Sequence, residues 1–127
     1  MFTSHCATIL IVDDSPENLM VLTELLSPTY RVLAAQSGEK CLRIASGETR
    51  PDLILLDVMM PGMDGFETCQ ALRQRSGYAQ MPVLMLTGLD DDASIERAYR
   101  AGATDFFVKS TQWSLLAGRL RYMLRAS

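Results

Sequence analysis

Asp52-Leu53-Ile54-Leu55-Leu56-Asp57, continued by Val58-Met59-Met60-Pro61-Gly62-Met63-Asp64-Gly65, is the stretch that decides the fold. A short, wholly apolar run of this kind reads as a strand buried on both faces of a parallel sheet. Its last residue, Asp57, is then presented at the carboxyl rim, where open α/β sheets bind ligands. The same design recurs along the chain. Thr8-Ile9-Leu10-Ile11-Val12 ends in Asp13-Asp14, Met81-Pro82-Val83-Leu84-Met85-Leu86 leads to Thr87, and Asp105-Phe106-Phe107-Val108 leads to Lys109. These strand ends together supply three carboxylates, a hydroxyl and a cation.

Between the apolar runs lie amphipathic segments. Ser15-Pro16-Glu17 is a helix start, with Ser15 as N-cap and Pro16 at the first helical position. Leu19, Leu22 and Leu26 follow on one face. Residues 30–35 form a second strand, and a helix beginning near Ser37 carries Leu42 and Ile44. Pro61-Gly62 fits the centre of a type II turn, and Asp64 caps a third helix bearing Phe66, Cys69 and Leu72. A fourth helix over roughly 91–101 is expected to turn Ile95, Ala98 and Tyr99 inward and to stop at Gly102. The last, from Thr111, aligns Trp113, Leu116, Leu120 and Leu124. Five successive strand–helix units require right-handed crossovers and a doubly wound parallel sheet with helices on both faces.

The composition narrows the functional classes. The chain has 127 residues, 48% hydrophobic and 21% charged, as expected for one globular domain over 1–127 with residues 1–6 as a mobile tail. A net charge of −3 argues against a nucleic-acid-binding surface. There is no secretory signal and no run long enough to span a bilayer. Cys6, Cys41 and Cys69 lack zinc or CxxC spacing, so they read as reduced thiols of a cytoplasmic protein. Neither a P-loop nor GxGxxG occurs. The chain ends inside or just after its last helix, so no output domain is expected within it.

Three carboxylates at one rim repel: two unit charges about 4 Å apart cost about 4 kcal/mol at an effective dielectric near 20. A hard cation that prefers oxygen ligands suits them, and Mg2+ is the natural choice, with Mn2+ as substitute. With Lys109 as a second positive charge, a carboxylate here is a plausible nucleophile toward phosphorus. Taken singly, each residue has a plainer role: Asp13-Asp14 as a helix lead-in, Thr87 as a strand residue, Lys109 as a solvated strand end, Phe106 as core. Arg119, Arg121 and Arg125 read as a solvated face.

In order and spacing, Ile11-Val12-Asp13-Asp14-Ser15, Leu55-Leu56-Asp57-Val58-Met59-Met60-Pro61-Gly62-Met63-Asp64-Gly65, Leu86-Thr87-Gly88 and Asp105-Phe106-Phe107-Val108-Lys109 resemble the receiver (phospho-acceptor) domain of two-component response regulators. The resemblance implies a flavodoxin-like sheet of strand order 2-1-3-4-5, for which a chemotaxis receiver is a standing example. It implies that Asp57 accepts a phosphoryl group from a sensor histidine kinase or histidine phosphotransfer protein. Asp14, Asp57 and the Met59 backbone carbonyl would ligate Mg2+, with Asp13 helping through water. Thr87 and Phe106 would form the switch, and the fourth helix, fifth strand and fifth helix the responding face, with Ile95, Tyr99, Phe106 and the 111–124 helix as candidates for homodimerisation or for docking an output domain or downstream protein. Such a protein catalyses its own phosphorylation and slow dephosphorylation but turns over no external substrate.

Three departures stand out. Ser110 replaces the proline usual after the Lys, where a cis bond before a non-proline residue costs roughly 2.5–4 kcal/mol. Gly88 replaces the commoner Ala after the Thr. Met59 and Leu89 are apolar where polar side chains can orient an attacking water, which predicts a long-lived phosphoryl group. The alternative reading is a pseudo-receiver, an interaction module that never takes phosphate. A haloacid-dehalogenase-type phosphatase fits less well, because Asp13-Asp14-Ser15 is not its DxD pattern. The segments around Asp14-Ser15-Pro16-Glu17-Asn18-Leu19 and Asp57 also look like receivers attached to cyclic-di-GMP enzymes or hybrid kinases.

Overall fold

The three innermost strands, β1 (Thr8–Val12), β3 (Leu53–Asp57) and β4 (Val83–Thr87), are buried along their whole length, as continuous apolar runs in a covered parallel sheet should be. The structure, a computed structural model, describes residues 6–88, 92–109 and 113–126. Flanking the three strands are β2 (Arg31–Ala35) and β5 (Asp105–Val108), giving a parallel sheet of order β2-β1-β3-β4-β5. The connecting helices are α1 (Pro16–Leu26), α2 (Gly38–Ala45), α3 (Gly65–Arg73), α4 (Asp92–Arg100) and α5 (Trp113–Ala126). This is the expected doubly wound α/β fold. The 1–6 tail lies outside the described residues apart from Cys6, as do Leu89, Ser110 and Thr111.

Alternation along the strands divides the core between the two faces. Leu10, Val12, Ile54, Leu56 and Met85 pack with Cys41, Cys69, Leu72 and Ala98 of α2, α3 and α4. Ile9, Ile11, Leu53, Leu55 and Leu84 pack with Leu22 and Leu26 of α1 and Leu116 and Leu120 of α5. The rim is held by local chemistry. Ser15 and Ser37 accept the backbone N–H groups of Asn18 and Lys40, while Asp64 and Glu67 form a reciprocal capping box. Gly62 at φ +73 fits the third position of a type II turn. Gly65 allows α3 to start against the end of β3: a Cβ there would lie 2.4 Å from the Asp57 carbonyl oxygen.

Helix faces depart from expectation in three places. Helix α2 buries Cys41 and Ala45 and leaves Leu42 and Ile44 half-buried, because its inner side packs closely on α3. Tyr99 is 48% exposed instead of turned inward. Ala98 is the buried residue of α4, and Ile95 is half-buried. The Tyr99 ring instead meets Phe106 edge-on at 5.9 Å, and its hydroxyl stands 3.4 Å from Asp105 Oδ1. In α5 Met123 joins Leu116 and Leu120 in the core, while Trp113 and Leu124 lie half-buried.

Two arginines tie the architecture together. Arg73 at the end of α3 donates to the carbonyls of Gly102, Tyr78 and Met81 at 2.9, 2.9 and 2.6 Å, closing the turns before β4 and β5. Arg119 is no simple solvated residue: it donates to Asp105 Oδ2 at 2.8 Å and to the Phe106 carbonyl at 3.2 Å. Cys6, Cys41 and Cys69 are free thiols, and burial pushes Cys41 up to about 12, with Cys69 adding to the effect. No helix among the described residues is long and apolar enough to cross a membrane.

Candidate functional site

Strands β1 and β3 are neighbours, so the carboxylates just past the end of β1 and at the last position of β3 meet at the carboxyl rim of the sheet. Asp13, Asp14 and Asp57 each offer an oxygen, and these oxygens lie within 4.8 Å of one another. Asp13 and Asp57 are buried at 1% and 2% exposure, whereas Asp14 is exposed. Lys109, just past β5, reaches across β4. Its Nζ stands 2.9 Å from Asp57 Oδ1 and 3.7 Å from Asp13 Oδ2. Its backbone N–H donates to the Thr87 carbonyl at 2.7 Å, fixing the loop that carries it.

Hydrogen bonds hold each buried carboxylate. The Ser15 N–H donates to Asp13 Oδ1 at 2.9 Å, and the Asn18 side-chain amide to Asp13 Oδ2 at 3.3 Å. The Met59 N–H donates to Asp57 Oδ1 at 3.4 Å. Burial pushes the Asp57 carboxyl above its ordinary value; the Lys109 hydrogen bond pulls it back, and the Asp13 charge pushes it up again. The ionised site therefore carries an excess of negative charge. A hard cation would relieve that excess, and carboxylate oxygens on a rim open to solvent at Asp14 suit Mg2+, which takes one or two carboxylates together with phosphate oxygens and waters.

The remaining candidates sit around this centre. Thr87 ends β4, is 5% exposed, and neighbours the Asp57 end of β3, where the Val58 N–H donates to the Leu86 carbonyl. Phe106 is half-buried on β5, opposite Met85. Met59 is 66% exposed, so its apolar side chain stands at the mouth of the site. Ile95 and Tyr99 lie on α4, outside the carboxylate cluster and beside Phe106 in the case of Tyr99. Asn18 was not among the candidates. Its signal was the spacing Asp13-x-Ser15-Pro16-x-Asn18, which places a capped first turn directly over the first carboxylate.

Comparison with known proteins agrees with this geometry. A family model described as "Response regulator receiver domain" matches residues 9–121. The transcriptional regulatory protein AfsQ1 of Streptomyces coelicolor is 40% identical over 117 residues, covering 92% of this chain and 50% of that protein. Response regulator PleD of Caulobacter vibrioides is 38% identical, covering 94% of this chain and 26% of its own length. The chain thus spans about a quarter to a half of these curated relatives. The solved structure of the chemotaxis protein CheY4 of Vibrio cholerae superimposes with a TM-score of 0.88 at 33% identity, covering 94% of this chain and 99% of that one.

Proposed function

The chain belongs to the response regulator receiver family, and from that membership we propose that Asp57 is its phospho-acceptor. The observation that carries the reading is the convergence of Asp13, Asp14, Asp57 and Lys109 on one rim. The donor is a phospho-histidine on a sensor histidine kinase or histidine phosphotransfer protein. An Asp57 carboxylate oxygen forms a bond to phosphorus as the nitrogen–phosphorus bond breaks, and the imidazole leaves with that electron pair and takes up a proton. Lys109 neutralises charge on the transferring oxygens, and the Thr87 hydroxyl donates a hydrogen bond to one of them.

Asp14, Asp57 and the Met59 backbone carbonyl are the assigned Mg2+ ligands, with Mn2+ as a substitute. Asp13 acts through water, in keeping with both its oxygens already accepting hydrogen bonds from the chain. The bound ion supplies positive charge beside the transferring phosphoryl oxygens. Placing a doubly charged group on Asp57 then draws Thr87 toward it and lets Phe106 turn inward behind the hydroxyl. Shifting such an equilibrium from 1:99 to 99:1 takes about 5.5 kcal/mol. New charge-assisted hydrogen bonds at about 1.5–3 kcal/mol each can supply it.

The responding face is α4-β5-α5, with Ile95 on α4 and with Tyr99 and Phe106 beside the Asp105–Arg119 ion pair. Its use is homodimerisation or docking of an output domain or downstream protein. The relative named as a transcriptional regulator is about twice as long as this chain. We assign no nucleic-acid contact to the receiver itself, whose net charge is −3. Free thiols and a cytoplasmic class of donor make the cytoplasm the compartment this reading calls for.

The test is intact-mass measurement after incubation with acetyl phosphate, comparing wild type with Asp57→Asn, each with and without Mg2+. The expected result is a single phosphoryl adduct that needs both Asp57 and the ion. Wild type that takes no phosphoryl group, yet binds a partner as well as Asp57→Asn does, would instead make this a phosphorylation-independent interaction module.

A further inference from the structure

Three hydrogen bonds form a closed ring at the start of α1. The Ser15 N–H donates to Asp13 Oδ1 at 2.9 Å, the Asn18 N–H donates to Ser15 Oγ at 3.3 Å, and the Asn18 side-chain amide returns to Asp13 Oδ2 at 3.3 Å. Asparagine is a modest helix former, and on an exposed helix it would face water. Here it turns to a carboxylate that is 1% exposed. The cap fixes the Asn18 backbone, and Pro16 fixes the turn before it, so the amide is aimed without further support.

The ring bears on Lys109. One ammonium faces two buried carboxylates, and it stands 2.9 Å from Asp57 but 3.7 Å from Asp13. Asp13 Oδ2, the oxygen nearer Lys109, is the one that Asn18 already serves. We propose that Asn18 is a positioning residue: its amide satisfies and orients Asp13, so that Lys109 is left to Asp57 and Asp13 keeps its charge turned toward the cation site. Without the amide, Asp13 keeps the Ser15 N–H on Oδ1, and the charged donor nearest the vacated Oδ2 is Lys109. The ammonium would be drawn from Asp57 toward Asp13 and would offset the very charge that attracts the metal.

The inference rests on the reading of Asp13, Asp14 and Asp57 as a Mg2+ site. Its test is calorimetric titration of the full chain with Mg2+, comparing wild type, Asn18→Ala and Asn18→Leu, each in the native and the Lys109→Ala background. Partners that orient metal ligands typically matter by ten- to a hundredfold, so about tenfold weaker Mg2+ binding is expected for both Asn18 variants. The loss should shrink to within about twofold when Lys109 is absent, since the competing cation is gone. Metal-free melting temperatures of the Asn18 variants should change little with Lys109 present, because the ammonium takes up the Asp13 oxygen that the amide leaves and Ala and Leu are the better helix formers. Variants that bind Mg2+ as wild type does would overturn the role of Asn18 alone. An equal loss in both backgrounds would overturn the apportioning of Lys109. Wild type that binds no Mg2+ would overturn the metal-site reading and this inference with it.

Discussion

Replacing Asp57 by Asn should make the metal-free protein more stable, although it removes the proposed phospho-acceptor. Lys109 at 2.9 Å attracts the Asp57 carboxylate by about 6 kcal/mol at an effective dielectric near 20. An Asp13 oxygen within 4.8 Å repels it by about 3.5 kcal/mol on the same scale. Asp14 adds a smaller repulsion, because its exposed carboxylate is screened. The attraction therefore exceeds the two repulsions by no more than about 2 kcal/mol. What stands uncompensated is the stripping of water from a charge that is 2% exposed. An Asn oxygen still accepts from Lys109, and its NH2 group turns donors toward the other carboxylates. The expected gain is roughly 1–3 kcal/mol, or roughly 3–10 °C in melting temperature for a chain of this size. The pH dependence gives the effect its signature. The folded Asp57 carboxyl sits above its ordinary value, so wild type has this stability in full below the unfolded carboxyl value of about 3.9 and loses it as pH rises through the folded value. The advantage of Asp57→Asn should therefore be present at neutral pH and close as the solution is acidified. Thermal unfolding followed by circular dichroism with a chelator, from pH 4 to pH 8, reads this directly. A variant that melts at or below wild type at neutral pH would refute the reasoning.

Other consequences are equally open to measurement. Lys109→Ala should lose about 2–4 kcal/mol, because it leaves two buried carboxylates without their cation; denaturant unfolding should find most of that loss restored in the Asp57→Asn background, and an undiminished loss there would count against the coupling. Arg73→Ala should cost about 2–4 kcal/mol, since three backbone carbonyls lose a charged donor; a change within 0.5 kcal/mol of zero would mean that water replaces it at no cost. Phosphorylated Asp57, freed of excess donor and with no phosphatase present, should persist for minutes or longer, because the Met59 side chain at the mouth of the site orients no water. Met59→Asn should shorten that lifetime, and a wild-type half-life of only seconds would contradict the expectation.

The sequence was most legible where one physical constraint acts alone. Continuous apolar runs such as Leu53–Leu56 admit little besides a strand covered on both sides, and residues at the ends of such strands must share a rim. Asp13, Asp57, Thr87 and Lys109 were therefore readable together. Helix faces were less so. On a helix of nine residues such as α4, whether Tyr99 or Ala98 meets the core depends on how closely the helix packs, and the ring found better partners in Phe106 and Asp105. Bonds to distant carbonyls left no trace in periodicity. Arg73 reaches Gly102 across 29 positions, and Arg119, read as part of a solvated face, reaches Phe106 across 13. Asn18 lay in between: its spacing from Asp13 was visible, but its meaning required the helix cap that turns it inward.

The most direct test of the central claim is to locate the phosphoryl group itself. An acyl phosphate on a carboxylate side chain is reduced by borohydride to the alcohol, which marks the modified residue in a peptide mass spectrum. After phosphorylation in the presence of Mg2+ and reduction, Asp57 should be the residue converted, with Asp13 and Asp14 unchanged. Conversion at Asp13 or Asp14 in its place, or at none of the three in a protein that carries the phosphoryl adduct, would contradict the account.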